Sequence, residues 1–244
     1  MEIYDRFFQY ESEWTVIHTP YQPNGFGVLI FGDKNHFVDE HSSFWMQHLG
    51  RKQLLAALRK AGFTLIQSNL YGNHWGSPKA LDLAEKLLHL FPKKEILNEK
   101  VHILAEGTGA LAALELMERS PDRLRSIGLF NPCIDLQSYF QEEKMNKLFY
   151  KRLTKEIAAA YEIDEKEMGQ HAFRSLKKIN SHVPVKIWDR MSGTPFPYQK
   201  HSKIFEEQRK EQGYPIELIL HLGEQPYRIH QSVIKFFSLH QKKL

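Results

Sequence analysis

The chain has 244 residues, 42% hydrophobic and 25% charged, which suits one soluble globular domain with a single substantial core. Its formal charge of +4 comes from lysines and arginines interspersed with acids, without the basic stripe of a nucleic-acid binder, and no apolar run approaches the ~18 residues of a membrane helix. The only cysteine, Cys133, excludes an internal disulfide and a thiolate zinc cluster.

The opening MEIYDRFFQYESEW carries acids early and lacks the basic-then-apolar order of a signal peptide. Together with the lone thiol this gives an expected cytoplasmic location. Phe7-Phe8-Gln9-Tyr10 and Trp14-Thr15-Val16-Ile17 predict one or two edge strands, and Asn24-Gly25 predicts a turn. Gly27 to Gly32 is a continuous apolar run, as in a strand buried on both faces. Ser42 to Gly62 is helical in pattern, with Leu54, Leu55 and Leu58 on one face. Thr64 to Ser68 predicts the next strand. Ser77-Pro78 marks a capped helix start, after which Ala80, Leu83, Ala84, Leu87 and Phe91 recur at helical spacing.

Val101–Leu104 predicts a strand, Ala110–Met117 a helix and Ser126–Phe130 another strand. Residues 137–180 are mainly helical in pattern and interrupt the alternation. Pro184–Trp188 resumes it, followed by a polar helix from about His201 to Gln212, a strand over Ile216–Leu220 and a closing helix marked by Ile229, Val233, Phe236 and Phe237. Strands alternating with helices predict a doubly wound, mostly parallel α/β sheet with an antiparallel edge. The expected organisation is one domain over 1–244, with the helical segment 137–180 inserted as a cap over the sheet edge where such sheets bind ligands.

Four stretches then carry a resemblance to the α/β-hydrolase family over most of the chain: VLIFGD, HILAEGTGALAAL, RSPDRLRSIGLFNP and SNLYGNHWGSPKALDLA. The last is similar to a segment of bacterial members. The resemblance implies a serine at the centre of G-x-S-x-G, a histidine that takes its proton, and an acid that orients the histidine. Aligned by strand ends, the nucleophile position falls on Gly107, the acid position on Gly193 and the histidine position on Pro226. All three are substituted. Glycine tolerates the strained turn that a nucleophile elbow requires, so the turn keeps its shape without its hydroxyl.

Other residues offer substitutes. Thr108 follows the turn centre, where the family supplies a backbone N–H to the oxyanion hole. Cys133, Asp135 and His230 form one alternative nucleophile, acid and base; against it stand a buried structural thiol and a surface or capping histidine. His36 and His41 flank Asp39-Glu40, but their spacing matches no strong metal motif. A pocket is expected at Gly32, Asp33, Tyr71, Trp75, Glu106, Gly107 and Thr108, although Trp75 reads equally well as packed beneath the insert. No metal or cofactor is implied. The expected partner is a small molecule or a protein, not nucleic acid or membrane. Three functions follow: a binding pseudo-hydrolase, an active hydrolase of esters, thioesters or peptides using non-standard residues, and an interaction protein contacting through the insert.

Overall fold

The computed structural model describes residues 5–222 and 226–241. A hairpin opens the chain, β1 (Asp5–Tyr10) and β2 (Glu13–His18). Its turn places Glu11 and Ser12 at φ +52° and +66°, the left-handed pair of a tight hairpin, achieved here without glycine. Then come β3 (Gly27–Phe31), α1 (Phe44–Gln47), α2 (Leu49–Lys60) and β4 (Thr64–Ser68). They are followed by α3 (Pro78–Glu95), β5 (Val101–Glu106), α4 (Gly109–Arg119) and β6 (Leu124–Phe130). The chain ends with α5 (Leu136–Glu142), α6 (Lys147–Tyr161), β7 (Val185–Arg190), α7 (Ser202–Glu211), β8 (Ile216–His221) and α8 (Pro226–Leu239).

The strands form one sheet in the order β1-β2-β4-β3-β5-β6-β7-β8. β1 with β2, and β2 with β4, run antiparallel; β3 to β8 are parallel. Every residue of β3 and β4 is buried, because helices cover both faces. Leu29 and Phe31 point to the side packed by α3 and α4. Val28 and Ile30 point to the side packed by α2 and α8. The period-two alternation of side chains divides the strand between two cores.

Three local expectations change. The helix expected from Ser42 is broken at His48, whose extended backbone ends α1 and whose Nδ1 accepts from Arg51 N at 3.4 Å to start α2. Ser77 stands at the N-cap of α3 but makes no side-chain cap bond. Within 137–180 the helices stop at Tyr161, and residues 162–184 contain neither helix nor strand. Anchors hold that stretch instead of a helix ladder. Met168, Phe173 and Ile179 are buried, Phe173 N donates to Gln137 Oε1 at 2.9 Å, and Arg174 pairs with Glu115 and Glu118 of α4.

Candidate functional site

The turn from β5 into α4 sits at the C-terminal edge of the sheet. Gly107 holds φ +54° there. Its N–H donates to Phe130 O at 3.0 Å and its carbonyl accepts from Cys133 N at 2.9 Å, so the bend is tied to the end of β6. Gly109 is needed for a different reason: a Cβ there would lie 2.6 Å from the Phe31 carbonyl oxygen, so α4 starts in backbone contact with the end of β3.

Asp33, just past β3, occupies the space above this turn. A Cβ at residue 107 would stand 2.1 Å from Asp33 Cγ. Asp33 Oδ1 accepts from Thr108 N at 2.8 Å, from Thr108 Oγ1 at 3.0 Å and from Lys34 N at 2.8 Å. An anion thus rests against the first turn of α4, where the helix dipole favours negative charge. His36 steadies this loop. Its Nδ1 accepts from Asp33 N at 3.0 Å and from Trp45 Nε1 at 3.2 Å, and its ring stacks on Phe44 at 3.9 Å.

The residues expected to share one pocket are distributed over separate surroundings. Gly32 and Asp33 border a void of about 10 Å³, room for at most one water. Trp75 is fully buried beneath the insert, stacked on Tyr139 at 6.2 Å, with Tyr161 Oη donating to its carbonyl at 3.1 Å. Tyr71 borders a separate groove of about 310 Å³ beside Lys79 and Glu162. Thr108 is fully buried against Asp33.

Cys133, Asp135 and His230 have different partners. Cys133 is buried in the apolar cluster of Trp75, Leu111 and Tyr139, and burial pushes its thiol well above the ordinary value. Asp135 caps α5, accepting from Ser138 N at 2.7 Å and Ser138 Oγ at 2.8 Å. His230 lies on α8 in a cleft shared with Gly50 and Arg51. Gly193 is at φ +77° in an open turn after β7, with nothing within 4 Å of where a Cβ would stand. Pro226 is the first residue of α8, and residues 223–225 before it lie outside the described residues. The Asp39 carboxylate is taken up by its own turn, accepting from His41 N and Ser42 N. Among the described residues no group of three His, Cys, Asp or Glu could hold a metal ion, and no helix is long and apolar enough to cross a membrane.

The open volume lies on the other side of the β5 turn. A cleft of about 390 Å³ is bounded by α2, α8 and the ends of β5 to β8. Glu106 faces it, gripped by Arg51, whose Nε donates to Glu106 Oε2 at 2.6 Å while Nη2 donates to Oε1. Burial alone would raise the Glu106 pKa, but Arg51 more than offsets it and the carboxyl stays below its ordinary value. Arg190, His221 and His230 complete the polar wall. Sequence reasoning singled out Glu106 and His230 but missed Arg51, Arg190 and His221. The available signal was position: Arg190 and His221 are the last residues of adjacent parallel strands, paired in register.

Asp189 is a further buried acid at the end of β7. Its partner is a hydroxyl, Ser202 Oγ donating to Oδ2, and its Oδ1 has no hydrogen bond. Burial raises it from 3.8 to about 6 despite that bond. Below pH ~4 the carboxyl is protonated both folded and unfolded. As pH rises through about 6 the folded state must bear a buried charge. Asp189→Asn should therefore gain on the wild type by about 2 kcal/mol in unfolding free energy between pH 4 and pH 8. Urea midpoints at the two pH values check this; a gap that does not change with pH would contradict it.

The strand order, the reversed β2 and the glycine bend between β5 and α4 define an α/β-hydrolase fold. Solved structures with that fold match nearly the whole chain. Est1E from Butyrivibrio proteoclasticus aligns at TM-score 0.64 and 13% identity, covering 98% of this chain and 99% of its own. Mouse alpha/beta hydrolase domain-containing protein 10 aligns at TM-score 0.64 and 12% identity, covering 96% and 98%. The acylaminoacyl peptidase of Pyrococcus horikoshii aligns at TM-score 0.66 and 12% identity, and this chain spans only 42% of that protein's length. No protein-family model matches the sequence, and no curated protein matches it. At such identities the likeness establishes the fold.

Proposed function

We propose that this protein is a hydrolase-fold protein without hydrolytic activity, a single domain with residues 137–180 as its cap, that binds a small molecule or a protein. One observation carries the reading: the Asp33 carboxylate stands where a side chain at residue 107 would project, and takes the Thr108 N–H that an oxyanion hole would offer a substrate. On this reading Gly107, Gly193 and Pro226 stand at the positions of nucleophile, acid and base, and none can do that chemistry. Asp135 caps α5 and His230 lines the cleft beside Arg51, so the two form no acid–base pair.

Reactive probes test it. A fluorophosphonate should label no serine, Ser192 included. Iodoacetamide should label Cys133 only slowly, since its thiol is fully buried and held protonated. Rapid stoichiometric serine labelling would overturn the proposal, and rapid alkylation of Cys133 would revive the active-hydrolase alternative. A second reading, contact with a protein through the insert, has its own observation: Met145 and Leu148 are 91% and 88% exposed. Unchanged solubility and elution volume for Met145→Glu with Leu148→Glu would count against it.

A further inference from the structure

The cleft beside Glu106 has an unbalanced charge. Arg51 and Glu106 neutralise each other. Arg190, exposed at the end of β7, has no carboxylate partner among the described residues, and its backbone N–H is held by Asn131 Oδ1 at 2.9 Å. Of the apolar residues that border the cleft, Ile229 is partly exposed, while Leu54 and Phe130 belong to the core beneath.

We propose that this cleft binds a small organic monocarboxylate, with Arg190 gripping the carboxylate and Ile229 packing against its carbon skeleton. This deepens the binding reading above and rests on it. A guanidinium fork matches the two oxygens of a carboxylate, and one uncompensated positive charge matches one negative charge. A phosphomonoester would bring a second negative charge that the cleft does not balance. His221 and His230 also face the ligand space. Burial lowers both imidazoles below their ordinary value, Arg190 and Arg51 lower His221 further, and Arg51 lowers His230 against a bond to Gly50 that raises it. The volume of about 390 Å³ falls within the range of small-molecule sites.

The test is calorimetric titration of the whole chain with hexanoate, benzoate, hexanol and inorganic phosphate, with fluorophosphonate labelling run on the same preparation. Hexanoate or benzoate should bind saturably and hexanol should not. Arg190→Gln should weaken the binding about tenfold or more while leaving the urea midpoint unchanged, because Arg190 is a surface residue. Three results overturn the inference: no saturable heat from either carboxylate at millimolar concentration, an unchanged affinity in Arg190→Gln, or phosphate binding more tightly than both carboxylates. Serine labelling in that preparation would instead remove the non-hydrolytic reading, so the two failures are distinguishable.

Discussion

Gly107→Ser is expected to destabilise the protein by about 3 kcal/mol and to confer no ester hydrolysis. Two costs add. A residue with a Cβ at φ +54° enters the left-handed region, worth about 1–2 kcal/mol. The new Cβ then meets the Asp33 carboxylate at 2.1 Å from Cγ and 2.2 Å from Oδ1. A flexible surface side chain would swing aside cheaply. Asp33 cannot, because its Oδ1 is fixed by Thr108 N, Thr108 Oγ1 and Lys34 N. Moving it forfeits charge-assisted bonds at a helix N-terminus.

The same reasoning predicts strong coupling. Asp33→Ala alone loses those bonds but makes room, so Asp33→Ala with Gly107→Ser should be more stable than the two separate losses predict, by about 1 kcal/mol or more. Urea unfolding of the four proteins in the cycle measures this, and strict additivity would mean that the carboxylate does not occupy the space. Even the double variant should form no acyl-enzyme with a simple ester. Gly193 and Pro226 provide neither acid nor base, Asp135 caps α5, and His230 lines the cleft beside Arg51. Measurable acyl-enzyme would reveal a working histidine–acid pair within reach of residue 107.

Much of this fold is legible in the sequence where burial is two-sided. β3 shows as a short continuous apolar run because helices cover both its faces, and α3 shows through the spacing of Ala80, Leu83, Ala84, Leu87 and Phe91. The insert is less legible. Its helical pattern continues past Tyr161, but the chain there is held by separate anchors, Phe173 and the Arg174 ion pairs, which have no period. The site is least legible, because its parts are joined only by strand order. Asp33 and Thr108 are 75 positions apart and meet because β3 and β5 are neighbours in the sheet. Arg51, Arg190 and His221 come from a helix and two distant strand ends, and no local motif connects them. The substituted turn at Gly107 is readable in one short segment. What fills the space above it is not.

Arg209→Met is expected to destabilise the protein by about 3 kcal/mol, although α7 reads as a polar surface helix. Arg209 is fully buried. Its Nη2 donates to Val183 O at 2.9 Å, Ser181 O at 3.1 Å and Pro215 O at 3.4 Å. These carbonyls belong to the stretch between the insert and β7 and to the residue before β8, so one guanidinium fixes where the chain returns to the sheet. Burial lowers its pKa to about 10, still far above neutrality, and no carboxylate partners it among the described residues. Methionine removes a costly buried charge, which taken alone would stabilise. It also leaves the Ser181 and Val183 carbonyls without their donor, at about 1–3 kcal/mol each, and this loss is the larger. Arg209→Lys should fall between, since an ammonium keeps a donor for these oxygens but loses the planar guanidinium lying over the Phe205 and Tyr214 rings. The damage lies near the N-terminal ends of β7 and β8, whereas Arg190 and His221 lie at the C-terminal ends. Arg209→Met should therefore lower the urea midpoint and leave carboxylate titration of the folded protein unchanged. A variant as stable as the wild type would mean that these three carbonyls do not depend on Arg209.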